Sequence, residues 1–454
     1  MPTDSGVDRA RLAALCAREL ATFALRNPGS ARAYESADHL FGRVPMTWMN
    51  KSAAGFPIYA AAASGARVTD IDGNTYVDFC LGDTGAMAGH SPAPVVAAVG
   101  RQLAEGGATT MLPTTDAAWV GAELARRFGL PYWSFALTAT DANRWAIRLL
   151  RAVSGRPKIL VNSYCYHGSV DESLIVVGPD GAGTSREGNV GAPTDVTTTS
   201  RVAEFNDLAG LERALAHGDV AAVLMEPALT NIGIVLPEPG YLAGVRELTR
   251  RYGTYLINDE THTFSAGPGG ATAAWNLEPD VLTIGKSIAG GIPIGAYGLS
   301  ASLADALTAR ADLDLVDMGG VGGTLAGNPV SLAAARATLS SVLTEEAFTG
   351  MIATATAFAD GVRKLIDAYA LPWSVSQLGA RVEYRFANPA PVNGTASAAS
   401  ADGELEDFLH VYLANRGILL TPFHNMALMS PATTLDDVTR HHEVFAEALR
   451  ELLA

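Results

Sequence analysis

Short, continuously apolar runs separated by helical patterns constrain this chain more than any other feature. They are Lys158-Ile-Leu-Val161, Val220-Ala-Ala-Val-Leu-Met225, Thr254-Tyr-Leu-Ile257 and Val281-Leu-Thr-Ile284. Runs of this length and character read as strands buried on both faces, and helical stretches such as Ala117 to Phe128 are suited to cover those faces. The alternation predicts an α/β fold with a mainly parallel sheet. Its consequence for function is positional, because ligands of open α/β sheets sit outside the carboxyl ends of the strands.

The last run leads into Thr283-Ile-Gly-Lys-Ser-Ile-Ala-Gly-Gly-Ile-Pro-Ile-Gly-Ala-Tyr-Gly298, which delivers one lysine from an apolar strand into a glycine-rich bend. Lys286 is one of four lysines, with Lys51, Lys158 and Lys364. The glycines let the backbone turn tightly and approach a ligand. Desolvation disfavours an ammonium, so an amine at such a strand end can lose its proton and attack a carbonyl to form a Schiff base. The plainer alternative is a lysine snorkelling from a strand edge. The preceding run continues into Asn258-Asp-Glu260, which puts Asp259 where a strand-end carboxylate could meet a cofactor. A carboxylate facing a ring nitrogen keeps it protonated, as the electron sink of pyridoxal phosphate (PLP) chemistry requires. Taken alone, Asp259 could equally cap the next helix.

Together the motifs resemble the class III aminotransferases of PLP fold type I, and most closely their glutamate-1-semialdehyde aminomutase and β-amino acid aminotransferase branch. The resemblance runs from about Gly42 to the C-terminus. Its markers, in order, are Val68 to Phe79, Gly89-His90, Thr138-Ala-Thr-Asp-Ala-Asn143, Tyr166-His-Gly168, Glu226-Pro227, Asn231-Ile-Gly233, Asp259-Glu260, Lys286 and Gly323-Thr-Leu-Ala-Gly-Asn-Pro329. It implies that Lys286 forms the Schiff base with PLP and that Asp259 pairs with the pyridine nitrogen. It further implies that Tyr166 stacks on the ring beside His167, that Asn231 lies near the phenolic oxygen, and that Glu226 supports that side. Ala139-Thr140 matches the family's Gly-Thr, where a helix start cradles the phosphate. Asp141 stands where the family usually has Glu. Thr324 matches a threonine that binds the phosphate of the neighbouring subunit, so the resemblance implies a homodimer with shared active sites.

The substrate side departs from the family. Ungapped alignment places Trp48 where the aminomutase-like enzymes carry a carboxylate-binding arginine, and an indole cannot form that bidentate pair. The ω-aminotransferases use an arginine after the segment written here Gly417-Ile-Leu-Leu-Thr-Pro422, and this chain has Thr421. Arg43 and Arg381 are possible substitutes, each also readable as a surface arginine. Asp83 stands where relatives have an aromatic residue and would favour a cationic or polyhydroxylated group, yet Asp83-Thr84-Gly85 is also an ordinary turn. Thr261 would lie against the cofactor ring, and His262 is either an active-site neighbour or a satisfied core histidine. With Trp48, the residues Phe423, His424 and Asn425 suggest a bulky or aromatic substrate compartment.

The 454 residues divide by this reading into an N-terminal arm and part of a small domain (1–80), a large PLP-binding domain (81–335) and a C-terminal small domain (336–454). Within them, Arg67 to Phe79 reads as a hairpin on Asp72-Gly73, Pro329 to Leu343 as a long helix, Arg381 to Phe386 as an alternating strand and Ala387 to Asp402 as a mobile surface loop. Thr434 to Leu453 reads as a helix capped by Thr434. A formal charge of -15 and the lack of a basic run argue against a nucleic-acid surface. No eighteen apolar residues run uninterrupted, so no membrane span is expected. The amphipathic start is unlike a signal peptide, and Cys16, Cys80 and Cys165 read as buried free thiols, so a cytoplasmic setting is expected. No metal is implied.

The expected activity is a PLP-dependent aminotransferase moving an amino group between an amine or amino acid and a keto acceptor. Lys286 would take the Cα proton while Asp259 keeps the ring cationic. The alternative is an isomerase, an aminomutase or racemase, using the same two residues but returning the amino group to its own substrate.

Overall fold

Val220–Met225 contains no polar side chain and is buried along its whole length, so it can only be an interior strand. It lies within a seven-stranded sheet made of β1 (Tyr132–Ala136), β2 (Lys158–Asn162), β3 (Ser200–Ala203), β4 (Val220–Met225), β5 (Tyr255–Asp259), β6 (Val281–Gly285) and β7 (Gly295–Leu299). The spatial order is β1-β7-β6-β5-β4-β2-β3. Neighbours from β6 to β3 pair in parallel, and β7 runs antiparallel to both β6 and β1. This is the α/β, fold type I arrangement expected from the sequence. The apolar runs are strands because helices cover both of their faces; the helix Ala139–Ser154 buries Ala142, Trp145, Ala146, Leu149 and Leu150.

The computed structural model describes residues 5–191, 194–314 and 319–454. They form two compact units. The sheet belongs to the unit built from 93–348 and 391–398; the other comprises 1–92, 349–390 and 399–454. In the latter, Arg67–Asp70 and Thr75–Asp78 pair antiparallel across Gly73 at φ 85°, the predicted hairpin, and Ile418–Leu419 joins Thr75–Asp78 in parallel. A second sheet pairs Ser374–Leu378, Arg381–Arg385 and Met426–Leu428. Thr434 caps the closing helix Leu435–Leu453, its hydroxyl accepting from Asp437 N while the Asp437 carboxylate accepts from Thr434 N.

The predicted strand forms over Arg381–Arg385, with all five residues buried. Two expectations are corrected. The stretch Ala387 to Asp402 is not one loop: Gly394–Ala399 is a short helix, which docks closely where Gly394 carries no side chain. A Cβ on Gly394 would stand 2.1 Å from the Ser163 carbonyl oxygen. All three cysteines are free, but only Cys165 is buried. No helix among the described residues is long and apolar enough to cross a membrane.

Candidate active site

The carboxyl ends of β1, β2, β4, β5 and β6 carry the residues singled out in the large unit. Asp259 closes β5 and is buried. Its Oδ2 accepts from Asn143 Nδ2 at 2.8 Å and pairs with His167 Nδ1 at 2.9 Å, and its Oδ1 accepts from Thr261 N at 3.0 Å. Burial alone would raise this carboxyl, but the His167 imidazolium and the bonds from Thr261 and Asn143 outweigh it and hold Asp259 below its ordinary range. Burial likewise pulls His167 down, and the Cys165 sulfur and the Asp259 carboxylate more than reverse it, leaving the imidazole well above its usual value. The two form a buried ion pair in which the carboxylate is bonded on both oxygens, while His167 Nε2 has no hydrogen-bond partner among the described residues.

Asn143 is the residue that motif reading quoted without a role. One turn inside the helix Ala139–Ser154, its amide oxygen accepts from Thr283 Oγ1 at 2.6 Å while Nδ2 reaches Asp259 and the His167 carbonyl. In the sequence, an asparagine spaced with Ala146, Ile147 and Leu150 along one helix face was the available signal.

Lys286 follows β6 directly and takes φ 52°. That left-handed conformation costs a non-glycine residue about 1–3 kcal/mol, and such strain gathers at functional positions. Its Nζ lies 2.9 Å from His262 Nε2. His262 is therefore drawn to the lysine.

Beside them the helix Ala139–Ser154 presents its N-terminus, capped by the Thr138 hydroxyl accepting from Asp141 N. The first N–H groups of a helix have no partner within it. Glycines near this helix start leave no room for a side chain unless their neighbours shift. A Cβ at Gly168 would meet Thr140 Oγ1 at 2.0 Å, one at Gly285 would meet Ala139 Cβ at 3.0 Å, and one at Gly295 would meet the Thr138 carbonyl at 2.1 Å. Thr140 Oγ1 also accepts from Ser169 N at 3.2 Å.

On the β4 side, Glu226 is buried, accepts from Tyr166 N at 3.2 Å and binds the Thr230 hydroxyl; burial raises its carboxyl despite His167 and Thr230. Asn231, with its amide oxygen turned to Arg186, accepts from that guanidinium at 2.8 Å. Thr324 sits in an exposed turn.

The remaining predicted residues belong to the other unit. Trp48 is exposed and meets Phe423 edge to face at 6.1 Å. Arg43 is exposed, pairs with Asp38 at 3.2 Å and donates to the Glu35 carbonyl. Arg381 is not a surface arginine: it is 2 % exposed and binds Asp83 at 3.0 Å and Thr84 Oγ1 at 3.2 Å. Asp83 is at once a turn residue, with φ 47°, and the partner of a buried cation.

A helix N-terminus with a threonine hydroxyl suits a phosphate, a carboxylate held ionised by a histidine suits a pyridinium, and a lysine at a strained bend suits an aldehyde; the residues fit PLP. The Aminotransferase class-III family model matches residues 48–450. A glutamate-1-semialdehyde-aminomutase from Pseudomonas aeruginosa PAO1 is 49% identical with a TM-score of 0.96, covering 99% of this chain and 100% of that one, and it has been crystallised as a K286A variant in complex with PMP. The glutamate-1-semialdehyde 2,1-aminomutase of Desulfitobacterium hafniense (strain Y51) is 34% identical over 407 residues, 88% of this chain and 93% of the relative. An omega-transaminase from Sphaerobacter thermophilus is 29% identical with a TM-score of 0.86, covering 95% and 100%. These relatives correct the expectation of an aminotransferase working between a donor and a keto acceptor. The more similar ones carry the aminomutase name, which agrees with the isomerase alternative. The chain belongs to the class-III aminotransferase family, whose cofactor is pyridoxal phosphate.

Proposed function

We propose that the protein is a PLP-dependent isomerase of the glutamate-1-semialdehyde 2,1-aminomutase kind, moving an amino group between neighbouring carbons of one small amino aldehyde. The observation that carries this is identity of 49% along nearly the whole chain to an aminomutase structure. The Lys286, Asp259 and His167 constellation supplies the chemistry.

In this reading Lys286 is the amine that binds the cofactor and then carries the proton between the two carbons that exchange the amino group. The strained bend presents Nζ above the carboxyl ends of β5 and β6. Asp259, kept ionised by His167 and oriented by Asn143, would pair with the ring nitrogen. Ala139 and Thr140 would hold the phosphate, and Tyr166, Glu226, Asn231 and Thr261 would hold the rest of the cofactor. When bound, PLP supplies a carbonyl for amines to condense with and a ring that takes up electrons from the adjacent carbon. Within the other unit, Arg381 and Asp83 form an ion pair with the arginine buried. The functional form is a cytoplasmic homodimer in which Thr324 serves the neighbouring subunit's phosphate.

The test supplies glutamate 1-semialdehyde alone, with no keto acid, to the loaded enzyme. Many turnovers per cofactor to the 1-amino-2-ketone, with the substrate's ¹⁵N recovered in the product pool and no other amine or keto acid consumed, support the isomerase. Turnover that requires an added keto acid overturns it. Lys286→Ala is expected to lower turnover by at least about 100-fold in the same assay.

A further inference from the structure

We propose that His262 is the proton partner of Lys286: Nε2 of a neutral imidazole accepts the proton that the lysine sheds before its amine attacks a carbonyl. The inference rests on the reading of Lys286 as the cofactor-binding amine.

Nζ and Nε2 are 2.9 Å apart, hydrogen-bond distance for two nitrogens. One proton between them satisfies the contact; a second would set donor against donor. In the proposed resting state one proton lies between them and Nδ1 carries the other imidazole hydrogen. The step balances. The Nζ–H bond breaks, its electron pair stays on Nζ as the attacking lone pair, an Nε2–H bond forms, and the positive charge passes from ammonium to imidazolium. Return of the proton reverses it.

The turn that carries His262 is held from below. Glu260 is fully buried and accepts from Thr263 Oγ1 at 2.5 Å, Thr272 N at 2.5 Å and Ala271 N at 3.1 Å. Thr261 N is tied to Asp259, and Phe264 N donates to the Glu260 carbonyl at 2.9 Å. With both flanks fixed, the imidazole is directed at Nζ by the backbone itself, as a positioning residue must be. The other charged groups of the neighbourhood have their own partners: Asp259 has His167 and Asn143, Glu260 has Thr263 and the two amides, and Arg127 has Glu123 and the Pro268 carbonyl. A neutral base is the member this arrangement adds.

The test is the rate at which full-length protein stripped of cofactor regains the visible absorbance of bound PLP, from about pH 6 to about pH 9. It compares wild type, His262→Gln and His262→Leu. Borohydride reduction and peptide mass mapping locate the adduct. Both variants are expected to reload at least about ten-fold more slowly near neutral pH, with a rate that climbs more steeply with pH than that of wild type. Wild-type rates and profiles in both variants overturn the proposal. So does a slow leucine variant beside a glutamine variant of wild-type profile, because glutamine offers a hydrogen bond without taking a proton. An adduct that maps away from Lys286 in wild type instead overturns the reading of the lysine, whatever the histidine variants do.

Discussion

His441 lies fully buried among aromatic rings, with centroids of Phe358, Phe445 and Phe79 at 4.3, 5.6 and 5.9 Å, and neither ring nitrogen finds a hydrogen-bond partner among the described residues. Burial pushes the imidazole well below its ordinary value of 6.5. The unfolded chain therefore binds a proton there that the folded chain refuses, so this residue costs stability as pH falls below 6.5. His441→Phe removes two unsatisfied nitrogens and is expected to stabilise the fold by about 1–3 kcal/mol. Thermal unfolding should show a larger gain at about pH 5 than at about pH 8. The contrast with His167 is instructive, since the same side chain, equally buried, is raised rather than lowered once a carboxylate stands 2.9 Å away. Burial sets the cost of a charge, and the neighbour decides whether it is borne.

Among elements, the junction of β7 with the start of the helix Ala139–Ser154 is the tightest part of the site. A methyl group on Gly295 would stand 2.1 Å from the Thr138 carbonyl and 3.0 Å from Ala139 N, so Gly295→Ala must move the strand or the helix end. PLP affinity measured by equilibrium fluorescence is expected to fall by about ten-fold or more, since displaced phosphate donors lose charge-assisted bonds. Such contacts also explain what was legible beforehand. The strands and the positions of Lys286 and Asp259 could be read from the chain because apolar runs and their polar ends are local patterns. The roles of Asn143 and His262 were not so readable, because each depends on a partner 116 or 24 residues away. The short helix Gly394–Ala399 was read as a loop for a related reason: its composition is that of a linker, and only the carbonyls at Ser163 and Ile232 explain Gly394 and Ser397.

At the level of the whole molecule, a net charge of -15 means that every further ionised carboxylate adds to self-repulsion. Glu406 is the sharpest case. Burial, opposed by Arg385 and reinforced by Glu383, raises it from 4.5 to about 7. A carboxyl with a raised folded value binds its proton more tightly in the fold, so stability falls as pH rises from 4.5 towards 7, by up to about 3 kcal/mol. Glu406→Gln is expected to raise the unfolding temperature at about pH 8 and leave it nearly unchanged at about pH 4, as scanning calorimetry would register. The division of the chain carries a different consequence, one of timing. The unit that begins with residues 1–92 is completed only by 349–390 and 399–454, and its Thr75–Asp78 strand waits for Ile418–Leu419 as its parallel neighbour. During synthesis the ribosome must first make the whole sheet of the other unit, a delay on the order of tens of seconds. Through that interval the newborn hairpin shows an open edge, and nascent-chain proteolysis should find the first ninety or so residues cleavable long after the central sheet has become resistant.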